Sequence, residues 1–384
     1  MKQKSKLKGQ KTIIIAPAFP YRGGIAATSD RLAQEYLKRG NEVEVWTFKL
    51  MYPKIIFPGK TQYLEEGTPA PEGVTIHRKI SSINPFNWIK VGRQLKKSKA
   101  NQTIIRYWLP FMAPALGTIA KIGKSKENHV SCLVDNVIPH EKRMGDTFLS
   151  RYFFKQMDGF VVMAQEGIQQ LKEVFKVKKK VHYSPHPLFD IYGEKLTKRD
   201  ACAALNINLE RKYILSFGLI RKYKGVDLLI QAFAKIKDQH PDFDLIIAGE
   251  SYDNWEDYQT IIDELNLNDR IIRKDNFIPN EEVKHYFSAA AFLALTYRTA
   301  TQSGVTQIAY SMELPMLVTN VGDLSNMVPH DKVGLVCENS VEDIAKHIDL
   351  MCNDEKLAQY EANIQEEKKK FEWSKLCDSI DSLK

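Results

Sequence analysis

The stretch SFGLIRKYKGVDLLIQAF, residues 216–233, joins two periodicities. The apolar run Ile214-Leu215-Ser216-Phe217 reads as the end of a buried strand, and Val226, Leu228, Leu229, Ala232 and Phe233 recur at helical spacing. Between them, Gly218 and Gly225 bracket Arg221, Lys222 and Lys224. A helix beginning near Gly225 turns its unpaired amide N–H groups and the positive end of its dipole into this strand-to-helix step. Arg221 adds a planar fork of donors suited to phosphate oxygens, and Lys224 adds a point charge. Cations this close repel one another unless carboxylates or an anion neutralise them. The turn is therefore read as a diphosphate site. It is not a P-loop, because the chain holds no G-x-x-x-x-G-K-[ST], and it holds no G-x-G-x-x-G.

The same alternation extends along the whole chain. Apolar runs at 12–19, 42–48, 102–108, 129–136, 159–164 and 180–185 form one series, and those at 212–218, 243–249, 270–277, 290–297, 315–322 and 334–339 form a second. Helical stretches separate them. Strands rich in Ile, Val and Leu that alternate with helices predict parallel sheets covered on both faces. The fold class expected is α/β, with two Rossmann-like doubly wound domains facing a central cleft. The first would span 1–190 with a returning helix at 371–384, and the second 210–370. The seam is placed in 186–212, which is rich in charge and holds Pro187 and Gly193. The length of 384 residues suits two such domains.

Composition narrows the class. Hydrophobic residues make up 43% of the chain, as in a protein with a real core, and no apolar run approaches the ~20 residues of a spanning helix. The basic N-terminal residues and the short run 12–19 are read as a first strand, not a secretion signal. The five cysteines are scattered and form no CxxC, which argues for a reducing compartment and against a zinc site. The expected location is the cytoplasm, at the inner face of the cell membrane. Residues 1–190 hold 32 Lys and Arg against 15 Asp and Glu, whereas the remainder holds 23 against 32. The basic half points to an anionic partner. Nucleic acid is one candidate, but no recognised nucleic-acid-binding motif is present, and the reading made here is no nucleic acid.

Three more turns carry candidate chemistry. In TYRTATQSGVTQIAYSMELP (296–315), a polar stretch opens a helix at Ser303-Gly304, where Gly304 would let amides approach an anion and Thr301, Gln302, Ser303 and Gln307 offer neutral hydrogen-bonding groups. Ser303 also suits a plain helix cap. In FPYRGGIAAT (19–28), Gly23 and Gly24 follow Arg22 between the first strand and first helix. In LVDNVIPHEKRMGD (133–146), His140 and Glu141 follow another strand. Asp242-Phe243-Asp244 precedes its strand and is read as a solvated turn, so no metal is expected, and EEKKK (366–370) is read as a solvated helix face.

These blocks together resemble the retaining glycosyltransferases of family 4, which have the GT-B architecture. The resemblance implies that Arg221 and Lys224, after Gly218, bind the donor diphosphate. Glu250 closes the block IIAGE (246–250), and backbone near Phe277 and Ile278 would contact the base. The block 303–328, including Val305, would hold the distal phosphate and ribose. RGGIA would lie near the acceptor, with Arg22 holding it and Gly23 and Gly24 near the donor, and His140 would lie near the donor sugar. No cofactor is implied: the donor, a UDP- or GDP-sugar, is a substrate. A glycan or lipid-linked acceptor and a role in cell-surface polysaccharide or glycolipid assembly are the family's common setting. One departure stands out. The family carries two glutamates eight positions apart around the Ser303-Gly304 turn, but this chain has Ala300 and Thr301 near the first position and Gln307, Ile308 and Ala309 near the second. That loss motivates an alternative, a degenerate GT-B protein that binds a nucleotide sugar or a partner without transfer.

The segment 84–101 places Trp88, Ile89, Val91 and Leu95 among Lys90, Arg93, Lys96, Lys97 and Lys99. Two readings fit it: a helix lying on an anionic membrane, or an ordinary surface helix packing its apolar side on the first sheet.

Overall fold

The computed structural model describes residues 9–53, 61–139, 143–300 and 303–384. The chain divides into two compact units, one of residues 1–186 with 372–384 and the other of 187–371.

The first unit is built on β1 (Lys11–Ile15), β2 (Glu42–Leu50), β3 (Thr75–Ser81), β4 (Gln102–Tyr107), β5 (His129–Val134), β6 (Gly159–Val162) and β7 (Lys180–Tyr183). All pair in parallel, in the order β3-β2-β1-β4-β5-β6-β7. The helices between them are α1 (Gly24–Lys38), α2 (Pro85–Lys97), α3 (Ala113–Gly123), α4 (Asp146–Phe154) and α5 (Glu166–Glu173). Helices α2 to α5 cover one face of the sheet, over a core that includes Ile13, Ile105, Leu116 and Phe153. The other face is covered by α1 and by the last helix, α14 (Trp373–Asp381). Helix α14 places Trp373, Leu376, Cys377 and Ile380 on one stripe, which buries against Ile14, Ala33 and Tyr36. Arg39 pairs with Asp378 at 2.9 Å and with Asp381 at 3.3 Å, which fixes that helix along α1.

The second unit holds β8 (Lys212–Phe217), β9 (Phe243–Ala248), β10 (Ile271–Lys274), β11 (Phe292–Leu295), β12 (Met316–Thr319) and β13 (Gly334–Cys337), parallel throughout in the order β10-β9-β8-β11-β12-β13. Its helices are α6 (Lys198–Leu205), α7 (Val226–Ile236), α8 (Trp255–Glu264), α9 (Asn280–Ala289), α10 (Gly304–Ser311), α11 (Leu324–Met327), α12 (Val341–Met351) and α13 (Asp354–Glu367). Both sheets thus reverse direction once, between β1 and β4 and between β8 and β11. In doubly wound sheets, ligands bind beyond the carboxyl ends of the strands at this switch point.

Several expectations need correction. Strand β3 was not read from the sequence, because His77, Arg78 and Lys79 interrupt its apolar pattern; it is an edge strand with one neighbour. The expected seam is packed structure: Phe189 is buried in the second unit's core, with α6 soon after. Asp244 is no solvated turn. It lies inside β9, buried, and accepts from Arg211 Nε at 2.6 Å and Arg270 Nε at 2.8 Å. EEKKK is not simply a solvated face, because Glu367 is buried and accepts from Lys332 and Lys370.

Candidate functional site

The switch point of the second unit lies at the steps after β8 and β11, and the structure stitches them together. After β8 the chain passes through Gly218 and an isolated bridge between Ile220 and Ser251, then makes one tight turn at Lys222–Lys224. Gly225 ends that turn with φ 65° and caps α7. A Cβ there would stand 2.0 Å from the Thr296 carbonyl oxygen, so both conformation and space require glycine. The segment after β11 lies directly against this turn. Thr296 donates its hydroxyl to the Gly225 carbonyl at 2.8 Å, and the Arg298 amide donates to the Tyr223 carbonyl at 2.7 Å. Arg298 also clasps Asp227 with two bonds, at 2.7 and 2.6 Å.

That clasp uses the cation of Arg298 and leaves the others. None of Arg221, Lys222 and Lys224 forms an ion pair with a carboxylate of the described residues. Arg221 is exposed, and its guanidinium lies over the ring of Tyr252, 4.8 Å from the centroid. Lys224 is half-buried; its ammonium donates to the Tyr297 hydroxyl and sits 3.9 Å from that ring's centroid. Burial lowers the Lys224 pKa to about 8; Tyr223 opposes the shift and the charge of Arg221 adds to it. An anion brought to this turn would restore the charged form.

The Tyr297 hydroxyl also lies 3.2 Å from Ser303 Oγ, so Lys224, Tyr297 and Ser303 form a chain from one turn to the other. Ser303 caps α10 by accepting from the Val305 amide at 3.3 Å, so its hydroxyl has a structural role. Gly304 differs from expectation. A Cβ there would meet the ring of Phe189 at 2.7 Å, so the space it leaves is taken by that ring. Gln307 differs more: it is fully buried in α10, and neither side-chain polar atom has a partner. With no accessible surface it could not meet a ribose without a rearrangement. Val305 packs near Gly218, and Glu250 follows β9, its carbonyl accepting from the Ile220 amide at 2.9 Å. Phe277, half-exposed, and Ile278, buried, follow β10 at the same end of the sheet. Thr301, Gln302 and His140, with Glu141, lie outside the described residues.

The switch point of the first unit is organised differently. Gly23, with φ 105°, caps α1, and Gly24 is its first residue. Arg22 donates its amide to the Gln62 carbonyl at 3.0 Å. Beneath them lies a pair the sequence reading missed. Arg106 of β4 is almost fully buried and binds Asp135 through two bonds, at 2.8 and 2.6 Å. Its remaining Nη1 donates to the Ile25 carbonyl at 3.0 Å, Thr28 Oγ1 at 2.6 Å and Ser29 Oγ at 3.1 Å, which pins the first turns of α1. The signal was an arginine within the apolar run QTIIRYW. Asp30 of α1 accepts from the Phe19 amide at 3.1 Å; burial pushes its pKa up to about 7 against that bond.

Among the described residues no three His, Cys, Asp or Glu side chains converge as metal ligands would, and no helix is long and apolar enough to cross a membrane.

With this geometry in place, the class of fold is defined by comparison. The chain is similar over nearly its whole length to sucrose-phosphate synthase of Thermosynechococcus elongatus, with a TM-score of 0.71 at 16% identity over 97% of this chain and 98% of that one. It is likewise similar to HepE of Anabaena solved with UDP, with a TM-score of 0.70 at 15% identity over 97% of this chain and all of that one. The architecture is GT-B. Residues 197–371 match the family model of the glycosyl transferases group 1, so the resemblance read from the sequence holds for the unit that carries Arg221 and Lys224. An uncharacterised glycosyltransferase of Haemophilus influenzae is 30% identical over 152 residues, which is 39% of this chain and 42% of that protein. The match thus spans less than half the length of that relative.

Proposed function

We propose that the protein is a glycosyltransferase that moves a sugar from a nucleoside diphosphate donor to an acceptor hydroxyl, with retention at the anomeric carbon and without a resident metal ion. The observation that carries this reading is the unpaired cation group at the second switch point, Arg221 and Lys224 beside the cap of α10. In the reaction the bond from the anomeric carbon to the diphosphate oxygen breaks and a bond to the acceptor oxygen forms. The acceptor's proton leaves, and negative charge gathers on the diphosphate. Arg221, Lys224 and the amides at the start of α10 stabilise that charge from fixed positions, which lowers the barrier by electrostatic preorganisation. Two phosphate-facing cations supply the charge that a divalent ion would otherwise bring.

The Anabaena neighbour has also been solved with UDP-glucose, which favours a uridine donor among the UDP- and GDP-sugars. The acceptor, a glycan or a lipid-linked sugar, belongs to the first unit, with Arg22 at its glycine turn, and the setting is cell-surface polysaccharide or glycolipid assembly at the inner face of the membrane. The test is a panel of UDP- and GDP-sugars assayed for binding and for slow hydrolysis, with the wild type and Arg221→Ala. Binding and hydrolysis of one donor, both lost in the variant, is the expected result. No binding of any nucleotide sugar would overturn the reading. One observation favours a second reading, a binder without transfer: where the family places a carboxylate beside the donor sugar, this chain has the uncharged, buried Gln307. Tight binding with no turnover across an acceptor screen would establish it.

A further inference from the structure

The helix α2 settles the two readings of segment 84–101 in an unexpected way. Val91 and Leu95 are buried in the core, and Trp88 is half-buried, donating its indole N–H to the Ser81 carbonyl at 2.6 Å. Those residues hold the helix to the unit. Others are left outside: Phe86 is 84% exposed and Ile83 51%, with Ile89 also exposed. They cluster at the amino end of α2, and along the same outward stripe follow Lys90, Arg93 and Lys97, all exposed. Helix α2 contains no carboxylate.

A second set stands two helices away. Helix α3 packs between α2 and α4 on one face of the sheet. At the amino end of α4, Met144 is fully exposed and Phe148 is 74% exposed, with Arg143 beside them and Arg151 one turn beyond Phe148. Half-buried Phe111, at the start of α3, lies between the two sets. Because the strands are parallel, these helix amino ends all lie at the carboxyl edge of the first sheet, the edge that also bears Gly23 and Gly24. Bare aromatic and aliphatic tips along one edge, with cations set back from them, match a bilayer in depth: tips among the acyl chains and cations at the anionic headgroups. A surface meant only for water has no reason to present two phenylalanines so fully.

We infer that this edge, through Ile83, Phe86, Ile89, Met144 and Phe148, dips into an anionic membrane and brings the acceptor side of the first unit to lipid. The inference deepens the lipid-linked acceptor of the proposed function, on which it rests for its purpose though not for its geometry. The test is co-sedimentation of the full chain with vesicles of phosphatidylcholine alone or mixed with phosphatidylglycerol, with nucleotide-sugar binding measured in parallel. Two double variants are compared with the wild type, Phe86→Ser with Phe148→Ser and Lys90→Glu with Arg93→Glu. The wild type is expected to prefer the anionic vesicles at least about tenfold, and each double variant to lose about that factor while keeping its nucleotide-sugar affinity. Equal binding by the serine variant, no preference for anionic lipid, or no sedimentation of the wild type would each overturn the inference. So would self-association of the wild type that the serine variant abolishes, which would assign the edge to a second copy of the chain. Vesicle binding as expected, with no nucleotide sugar bound by any form, would support this inference and remove the proposed function alone.

Discussion

The two switch points have the same topology and opposite charge economies. In the first unit the arginine from the strand beside β1, Arg106, is locked to Asp135 and to the opening of α1, and every group around it is satisfied. In the second unit the corresponding strand, β11, ends in Arg298, which is likewise locked to Asp227, but Arg221 and Lys224 across from it remain without a carboxylate. The fold places both loops at a ligand-binding edge. Only the balance of charge distinguishes a loop that is held shut by its own ion pair from one that still lacks its counter-ion.

Breaking the closed pair should have the largest effect. Arg106→Met leaves Asp135 buried without its partner and should destabilise the protein by about 3–5 kcal/mol in urea unfolding. Adding Asp135→Leu should recover most of that loss, because no lone charge then remains. Disturbing the open site should cost affinity and little stability. Lys224→Ala should weaken nucleotide-sugar binding by roughly 10–100-fold by calorimetry, with the melting temperature nearly unchanged. The same lysine predicts a pH dependence. With a pKa of about 8 in the free protein, it is charged below that pH and neutral above it, so donor affinity should hold near pH 6.5 and fall as pH rises through 8. That fall, up to about tenfold by pH 9, should vanish in Lys224→Arg. The smallest effect sharpens the comparison. Tyr252 lies against Arg221 in place of a carboxylate, so Tyr252→Ala should weaken donor binding about two- to fivefold, and Tyr252→Phe should leave it unchanged.

The alternation of apolar runs and helices was enough to read two parallel-sheet layers, because strands covered on both faces are apolar without interruption. It failed at β3, where an edge strand covered less completely carries His77, Arg78 and Lys79. The phosphate turn was legible because glycine and cations at a strand-to-helix step have few other uses. What stayed hidden were the pairings between distant segments. Tyr297 reaching Lys224, Asp227 meeting Arg298 and Phe189 filling the space beside Gly304 join residues far apart in sequence. Exposure was hidden too: Val91 and Phe86 are equally apolar in the sequence, yet one faces the core and the other faces solvent.

The return of the chain to its first unit has a consequence for how the molecule is made. The second unit, residues 187–371, is an insertion between β7 and α14, the helix that covers one face of the first sheet. During translation the second unit is therefore finished first, while Ile14, Ala33 and Tyr36 wait uncovered. At ~5–20 residues per second, that wait lasts roughly 10–40 s on the ribosome. Through that interval a nascent chain with its α1 face open is a natural client for a chaperone.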